Sequence, residues 1–325
     1  MRLITLDDFI DTYFKIKQRG KQFFFSKFTL NREKRTKSAF NDSSFISSNF
    51  WSIPMVNERW NFLISGNKNK NYLDFLKDNF LKDKTELRLL SLGSGISNPE
   101  IELAKKSLIF KEIVCVDIAT NLLKKAAKKA SENNLTNITF IAKNINEFDF
   151  KENDFDIVFF KSSLHHFNNI DLLLSKQIKK TLKPNGFLII NEFVGATRHQ
   201  FSRNQIKNIN ETIKLIPKKF RTRYKTSIHK NKYRGVGLFR MIMADPSECV
   251  DSSSIMPSIH KHYKVVLEKP YGGNLLMSAL RDISHHFFNL DKEKKEVLEK
   301  VFLFEDNYLL SNSSDFVFGI YQNNS

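Results

Sequence analysis

Leu87-Arg88-Leu89-Leu90-Ser91-Leu92-Gly93-Ser94-Gly95, followed by Ile113-Val114-Cys115-Val116-Asp117, decides the fold of this chain. An apolar run breaks at two glycines, and a second apolar run closes on an acid. The order predicted is strand, tight turn, helix, strand, acid. Glycines directly after a buried strand let the backbone turn sharply and approach a ligand, because no Cβ penalises a positive φ. An acid at the tip of the next parallel strand can accept hydrogen bonds from both hydroxyls of a ribose. The pattern predicts an α/β, doubly wound, Rossmann-like nucleotide-binding sheet.

The glycine spacing narrows the ligand. A dinucleotide fingerprint places a third glycine where this chain has Asn98, and a phosphate-cradling loop needs Gly-Lys-Ser or Gly-Lys-Thr, which does not follow. A nucleoside cofactor without phosphates fits best. Four segments then occur in a set order: Leu92-Gly93-Ser94-Gly95; Asp117-Ile118-Ala119; Phe155-Asp156-Ile157-Val158 with Leu164-His165-His166; and Leu182-Lys183-Pro184-Asn185-Gly186. Together they resemble the class I S-adenosylmethionine-dependent methyltransferases over residues 87–192, with residues 316–321 similar to that family's last, antiparallel strand.

The resemblance implies a seven-stranded sheet, S-adenosylmethionine as cofactor, and a set of contacts to it. Leu92, Gly93, Ser94 and Gly95 would lie along the methionine portion, Asp117 and Ile118 at the ribose, and Asn144 and Ile145 at the adenine, with Lys161 bordering the site. The chain departs from the family at Ser91, where an acid is common, at Ser97, where a third glycine is common, and at Asn144, where an aspartate is common.

Outside that core, residues 1–85 carry helical patterns such as Leu73, Leu76 and Phe80, and an aromatic patch at Phe50, Trp51 and Trp60. They are predicted to form a helical extension or lid, with the methyltransferase domain over residues 86–325. The strand–helix rhythm continues with a helix over 122–132, strands over 138–142 and 156–160, a helix over 172–182 and a strand over 187–191. It stops at about 195–262, where a basic, partly helical insertion intervenes on the substrate side. A strand over 263–268, a Pro-Tyr-Gly-Gly loop, helices over 275–288 and 292–304, and the strand over 316–321 complete the sheet. The whole arrangement, with Asp245-Pro246-Ser247-Glu248, resembles a group of uncharacterised bacterial small-molecule methyltransferases.

Composition sets further bounds. The 325 residues are 41% apolar, which suits a folded soluble chain, and two cysteines give neither a disulfide framework nor a metal-ligand spacing. No metal site is expected. Acids occupy the first residues where a signal peptide needs apolar ones, and no run approaches the ~20 residues that span a bilayer. A cytoplasmic protein without a membrane span is the expectation. The net charge of +17 accompanies a composition rich in Lys, Asn, Ile and Phe, so it discriminates little. More specific is residues 218–234, with eight basic side chains and no acid. Its two readings are a solvated face and a site for an anionic substrate.

The candidate catalytic residues are His165 and His166, which follow the fourth strand, and Glu192, which ends the fifth. An imidazole near neutral pH or a strand-end carboxylate can take a proton from an acceptor. The structural alternatives are packing and capping for the histidines and an ion pair with Arg198 for Glu192. Arg198, Arg234, Arg240 and Tyr271 are candidate substrate contacts. Methyl transfer to O or N of a small, in one reading anionic, molecule is the first expectation. An RNA methyltransferase using residues 218–234 and a non-catalytic cofactor-binding protein are the alternatives. Composition and motifs leave the oligomeric state open.

Overall fold

The computed structural model describes residues 1–19, 49–106 and 108–324; that part of the expected helical extension falling on residues 20–48 lies outside them. Seven strands form one sheet: β1 (Leu87–Leu92), β2 (Phe110–Asp117), β3 (Ile138–Ala142), β4 (Phe155–Lys161), β5 (Leu182–Phe193), β6 (Tyr263–Gly272) and β7 (Phe316–Asn323). Their order is β3-β2-β1-β4-β5-β7-β6. The first five are parallel, and β7 runs antiparallel between β5 and β6.

Residue parity explains why both faces are covered. In β1, Leu90 and Leu92 join Val114, Val116, Val158, Phe160, Leu188 and Ile190 in one core, while Leu89 joins Ile113, Cys115, Ile157, Phe159 and Ile189 in the other. Side chains alternate faces along a strand, so an unbroken apolar run is what a sheet sandwiched between helices requires. The carboxyl ends of β1, β2, β4 and β5 therefore meet on one rim, with β1 and β4 adjacent at its centre.

Several boundaries differ from expectation. The strand expected over 187–191 begins earlier, at Leu182, and Pro184-Asn185-Gly186 bulges within it: Phe155 opposes Leu182 and Ile157 opposes Phe187, so the intervening residues loop out without ending the strand. A Cβ on Gly186 would lie 2.9 Å from the Lys183 carbonyl oxygen, which is why glycine stands there. The expected Pro-Tyr-Gly-Gly loop is largely strand, since β6 continues to Gly272 and pairs Pro270 with Val317. The helix expected over 275–288 is broken into Leu276–Leu280 and the 3-10 turn Ser284–Phe287. The helix before β5 starts at Ile170 and is π-wound from Leu173–Ile178.

The basic insertion holds the helices Arg203–Leu215, Leu238–Ala244 and Ile255–His262. The helix Leu6–Arg19 is clamped to it by its acids. Asp8 accepts from the Gly237 backbone N–H at 2.8 Å and from Arg240 Nε at 3.0 Å. Asp7 accepts from the Arg234 N–H at 2.5 Å, and Asp11 pairs with Arg240 at 3.1 Å and Arg281 at 2.9 Å. Among the described residues no helix is long and apolar enough to cross a membrane.

Candidate active site

Two cavities meet at the sheet rim. The first, about 780 Å³, is lined by Gly93, Ser94 and Gly95 after β1, Asp117 and Ile118 after β2, Asn144 and Ile145 after β3, and Lys161, Ser162 and His166 after β4. Eight of the nine residues expected at the cofactor thus surround one space. The ninth, Leu92, is fully buried beneath it, and its carbonyl accepts from Ser163 Oγ at 2.7 Å.

Local geometry gives the turn its shape. Gly93 and Gly95 have φ of +70° and +56°, and a Cβ on Gly93 would stand 2.7 Å from the Ser163 Cβ. Only glycine meets both conditions without displacing the β4 loop. Ser97 takes φ +52° without being glycine, and its hydroxyl donates to Ser94 Oγ at 3.0 Å. Asp117 fixes the turn from the neighbouring strand: Oδ2 accepts from the Gly95 N–H and Oδ1 from the Ala119 N–H, both at 2.7 Å. Each oxygen keeps a further lone pair for a ligand hydroxyl. Asn144 caps the following turn by accepting from the Asn146 N–H at 3.1 Å.

Glu100 was not singled out in the sequence, yet it stands below this turn, fully buried, and accepts from Ser91 Oγ at 2.7 Å. The chain thus carries a carboxylate from the helix Asn98–Ala104 beside the strand position where the resembling family often has its acid. Burial pushes the Glu100 carboxyl from 4.5 up to about 7, against the opposing effects of the Ser91 hydrogen bond and Lys161. The serine at position 91 was the available signal.

The second cavity, about 920 Å³, shares Lys161 and Ser162 with the first. Aromatic rings dominate its wall, among them Phe14, Trp51, Trp60, Phe193, Tyr271 and Phe316. Trp60 stacks edge-on against Phe50 at 5.2 Å and Tyr271 at 5.1 Å, so the aromatic patch both packs and lines the chamber. Tyr271 donates to Asn191 Oδ1 at 2.5 Å. Of the four expected substrate contacts, Tyr271 is the one lining this space. The Arg198 guanidinium donates to the Pro246 and Glu248 carbonyls, and Arg234 and Arg240 hold the N-terminal helix.

His165 faces the second cavity and His166 the first. Glu192, fully buried, does not reach Arg198: it gathers the loop after β4. Its Oε1 accepts from the Ser163 and Leu164 N–H groups at 2.5 and 2.8 Å, and its Oε2 meets His165 Nδ1 at 2.7 Å. Burial pulls His165 down, but the Glu192 charge and hydrogen bond, with Glu248 and Asp245 beyond, raise it above its ordinary 6.5. His166 is lowered by burial and by the neighbouring His165. A carboxylate on Nδ1 leaves the opposite ring nitrogen, Nε2, as the site where a proton is taken.

The basic segment is not one exposed face. Lys230 is buried, donates to the Ser278 and Arg281 carbonyls at 2.6 Å, and is lowered by burial from 10.5 to about 7. Arg223 is buried against Asp282 at 2.7 Å, and Lys219 pairs with Glu293 at 2.7 Å. His285 and His286 stack on each other at 4.1 Å, and His286 Nε2 meets the Thr222 carbonyl.

A family model described as a methyltransferase domain matches residues 83–249. A ubiquinone/menaquinone biosynthesis C-methyltransferase of Rhodopseudomonas palustris is 28% identical over 154 residues, covering 46% of this chain and 60% of that protein. The chain therefore spans about 60% of the length of the curated relatives it matches. Among solved structures, phosphoethanolamine N-methyltransferase 2 of Haemonchus contortus in complex with S-adenosyl-L-methionine is 16% identical, with a TM-score of 0.47 and coverage of 89% of this chain and 60% of that one. The cyclase SpnF is 14% identical, with a TM-score of 0.46 and coverage of 77% and 80%.

Proposed function

The chain belongs to the class I S-adenosylmethionine-dependent methyltransferase family, and from that premise we propose that it methylates an oxygen or nitrogen of a small, ring-bearing molecule held in the 920 Å³ chamber. The observation that carries this reading is the His165–Glu192 couple where the two cavities join. S-adenosylmethionine would be held in the cavity at Gly93, Gly95 and Asp117 and would supply an activated methyl group there, and Lys161 and Ser162 border both this cavity and the chamber. Transfer from a sulfonium is an in-line displacement, so the protein's work is to align the acceptor, exclude water and remove a proton. His165 takes that proton, and Glu192 holds the ring in position and supports the imidazolium.

The chamber suits an uncharged acceptor better than the anion considered from the sequence. Its wall carries Asp11, Glu248 and Asp282 against Lys161 and Arg281, with Asp11 paired to Arg240 and Arg281 and Asp282 to Arg223, so these charges largely offset one another and the rings set the preference. The helix Leu6–Arg19 and the insertion act together as its lid. The test is to supply S-adenosylmethionine carrying a labelled methyl group with a panel of phenols, alcohols and amines. The His165→Gln variant should lose roughly 10²–10⁴-fold in turnover while its cofactor affinity, read by calorimetry, stays within about twofold. Equal turnover in the variant, or label entering only RNA, overturns the reading.

A further inference from the structure

Three donor atoms of different chemistry converge on the wall of the acceptor chamber. His199 Nε2 lies 3.4 Å from Glu248 Oε1 and 3.4 Å from Cys249 Sγ, and Cys249 Sγ lies 3.3 Å from the same Oε1. All three residues line the chamber, as does His165. We propose that His199, Glu248 and Cys249 bind a divalent transition metal, zinc above all, with an open coordination position facing the acceptor.

The spacing carries the inference. Metal bonds of about 2.0–2.1 Å to nitrogen and oxygen and about 2.3 Å to sulfur, opened to tetrahedral angles, put the ligand atoms roughly 3.3–3.6 Å apart. The three measured edges, 3.4, 3.4 and 3.3 Å, match that triangle with little movement. Three protein ligands and a vacant fourth position toward a cavity is the arrangement of a catalytic rather than a structural zinc site. A mixed nitrogen, sulfur and carboxylate set also disfavours magnesium or calcium, which take oxygen ligands.

The ligands come from two segments that brace one another. The Arg198 N–H donates to the Cys249 carbonyl at 2.7 Å, and its guanidinium grips the Pro246 and Glu248 carbonyls. Arg198, His199 and Cys249 have φ of +54°, +49° and +47°, a left-handed backbone costly for non-glycine residues. The second segment continues to the two histidines: Ser247 Oγ meets His166 Nδ1 at 3.2 Å, and a ligand atom of Glu248 lies within 4.8 Å of those of His165 and His166. No spacing in the sequence could show this set, because position 199 and positions 248–249 are brought together only by the fold.

A metal there would polarise a hydroxyl of the acceptor beside His165, favouring release of its proton to that imidazole. This use rests on the methyl-transfer reading; the metal site itself does not. The full chain, stripped of metal with a chelator, is titrated with Co²⁺ and then Zn²⁺. One equivalent of Co²⁺ should bind and give a thiolate-to-metal charge-transfer band, which Zn²⁺ displaces. Cys249→Ser should remove the band, Cys115→Ser should leave it, and Glu248→Gln should weaken binding at least about tenfold. Absence of the band in the wild type, or its survival in Cys249→Ser, overturns the site. Calorimetry with S-adenosylmethionine on the same preparation separates the two proposals. Cofactor binding without metal binding sinks the metal site alone, and metal binding without cofactor binding sinks methyl transfer alone.

Discussion

Replacing Glu100 with Gln should make the protein more stable than the wild type at mildly alkaline pH and not in acid. Glu100 is fully buried, and its carboxyl is pushed from 4.5 to about 7 chiefly by burial. Between those two values the folded chain holds a proton that the unfolded chain has released. Stability from this group is therefore fully present below pH 4.5 and is lost as pH rises through about 7. The difference, 7 − 4.5 = 2.5, corresponds to roughly 3 kcal/mol at about 1.36 kcal/mol for each pH unit. Gln has nearly the same shape, does not ionise and can still accept from Ser91 Oγ, so it avoids that loss. Urea unfolding of both proteins, followed from about pH 4 to pH 8, gives the difference in stability directly. Asp315, raised to about 7 by its own burial, titrates in the same window but is present in both proteins and cancels. The difference should grow by up to about 3 kcal/mol in favour of the variant across that range. A difference that does not change with pH refutes the burial argument.

Asp117→Ala should weaken S-adenosylmethionine binding by roughly 1–3 kcal/mol, because it removes both a ribose acceptor and the anchor of the Gly95 and Ala119 N–H groups; calorimetry showing unchanged affinity would reject the assignment. Arg240→Ala should leave cofactor affinity near the wild-type value but release the helix Leu6–Arg19, whose Asp8 and Asp11 lose a partly buried guanidinium. Limited proteolysis should then cut within residues 1–19 several-fold faster, and an unchanged cleavage rate would show that the clamp does not hold the helix.

The lining of the first cavity was legible because its residues lie in short stretches, each at the end of a strand. A glycine turn, an acid one strand later and the Asn144-Ile145 pair just after the third strand are local consequences of one sheet. The topology alone brings them to one rim. Glu192 shows where such reasoning stops. Its strand-end position was readable, but whether it faces the acceptor or serves the loop depends on where the Ser163 and Leu164 N–H groups point. Those donors belong to another strand's loop, and they draw the carboxylate inward until His165 alone can meet the chamber.

The acceptor side was opaque for a related reason, which the arginines make concrete. Arg198, Arg234 and Arg240 have the chemistry for binding a carboxylate or phosphate, and sequence ranks them by chemistry. The fold assigns them by partner. Arg198 adopts a left-handed backbone that turns its guanidinium onto the carbonyls of residues 246 and 248, while Arg234 and Arg240 meet acids from the chain's first turns. A buried cation without a partner is expensive, so a basic insertion folding over its own acidic helix uses its charges internally before any ligand arrives. The same internal pairing keeps Arg198, Arg234 and Arg240 off the chamber wall, where Asp11 and Asp282 are in turn paired with arginines and aromatic rings make up much of the lining. Charge clustering in the sequence thus points to how the insertion and the helix Leu6–Arg19 are joined, whereas the chamber wall itself holds the rings and the His199, Glu248 and Cys249 group.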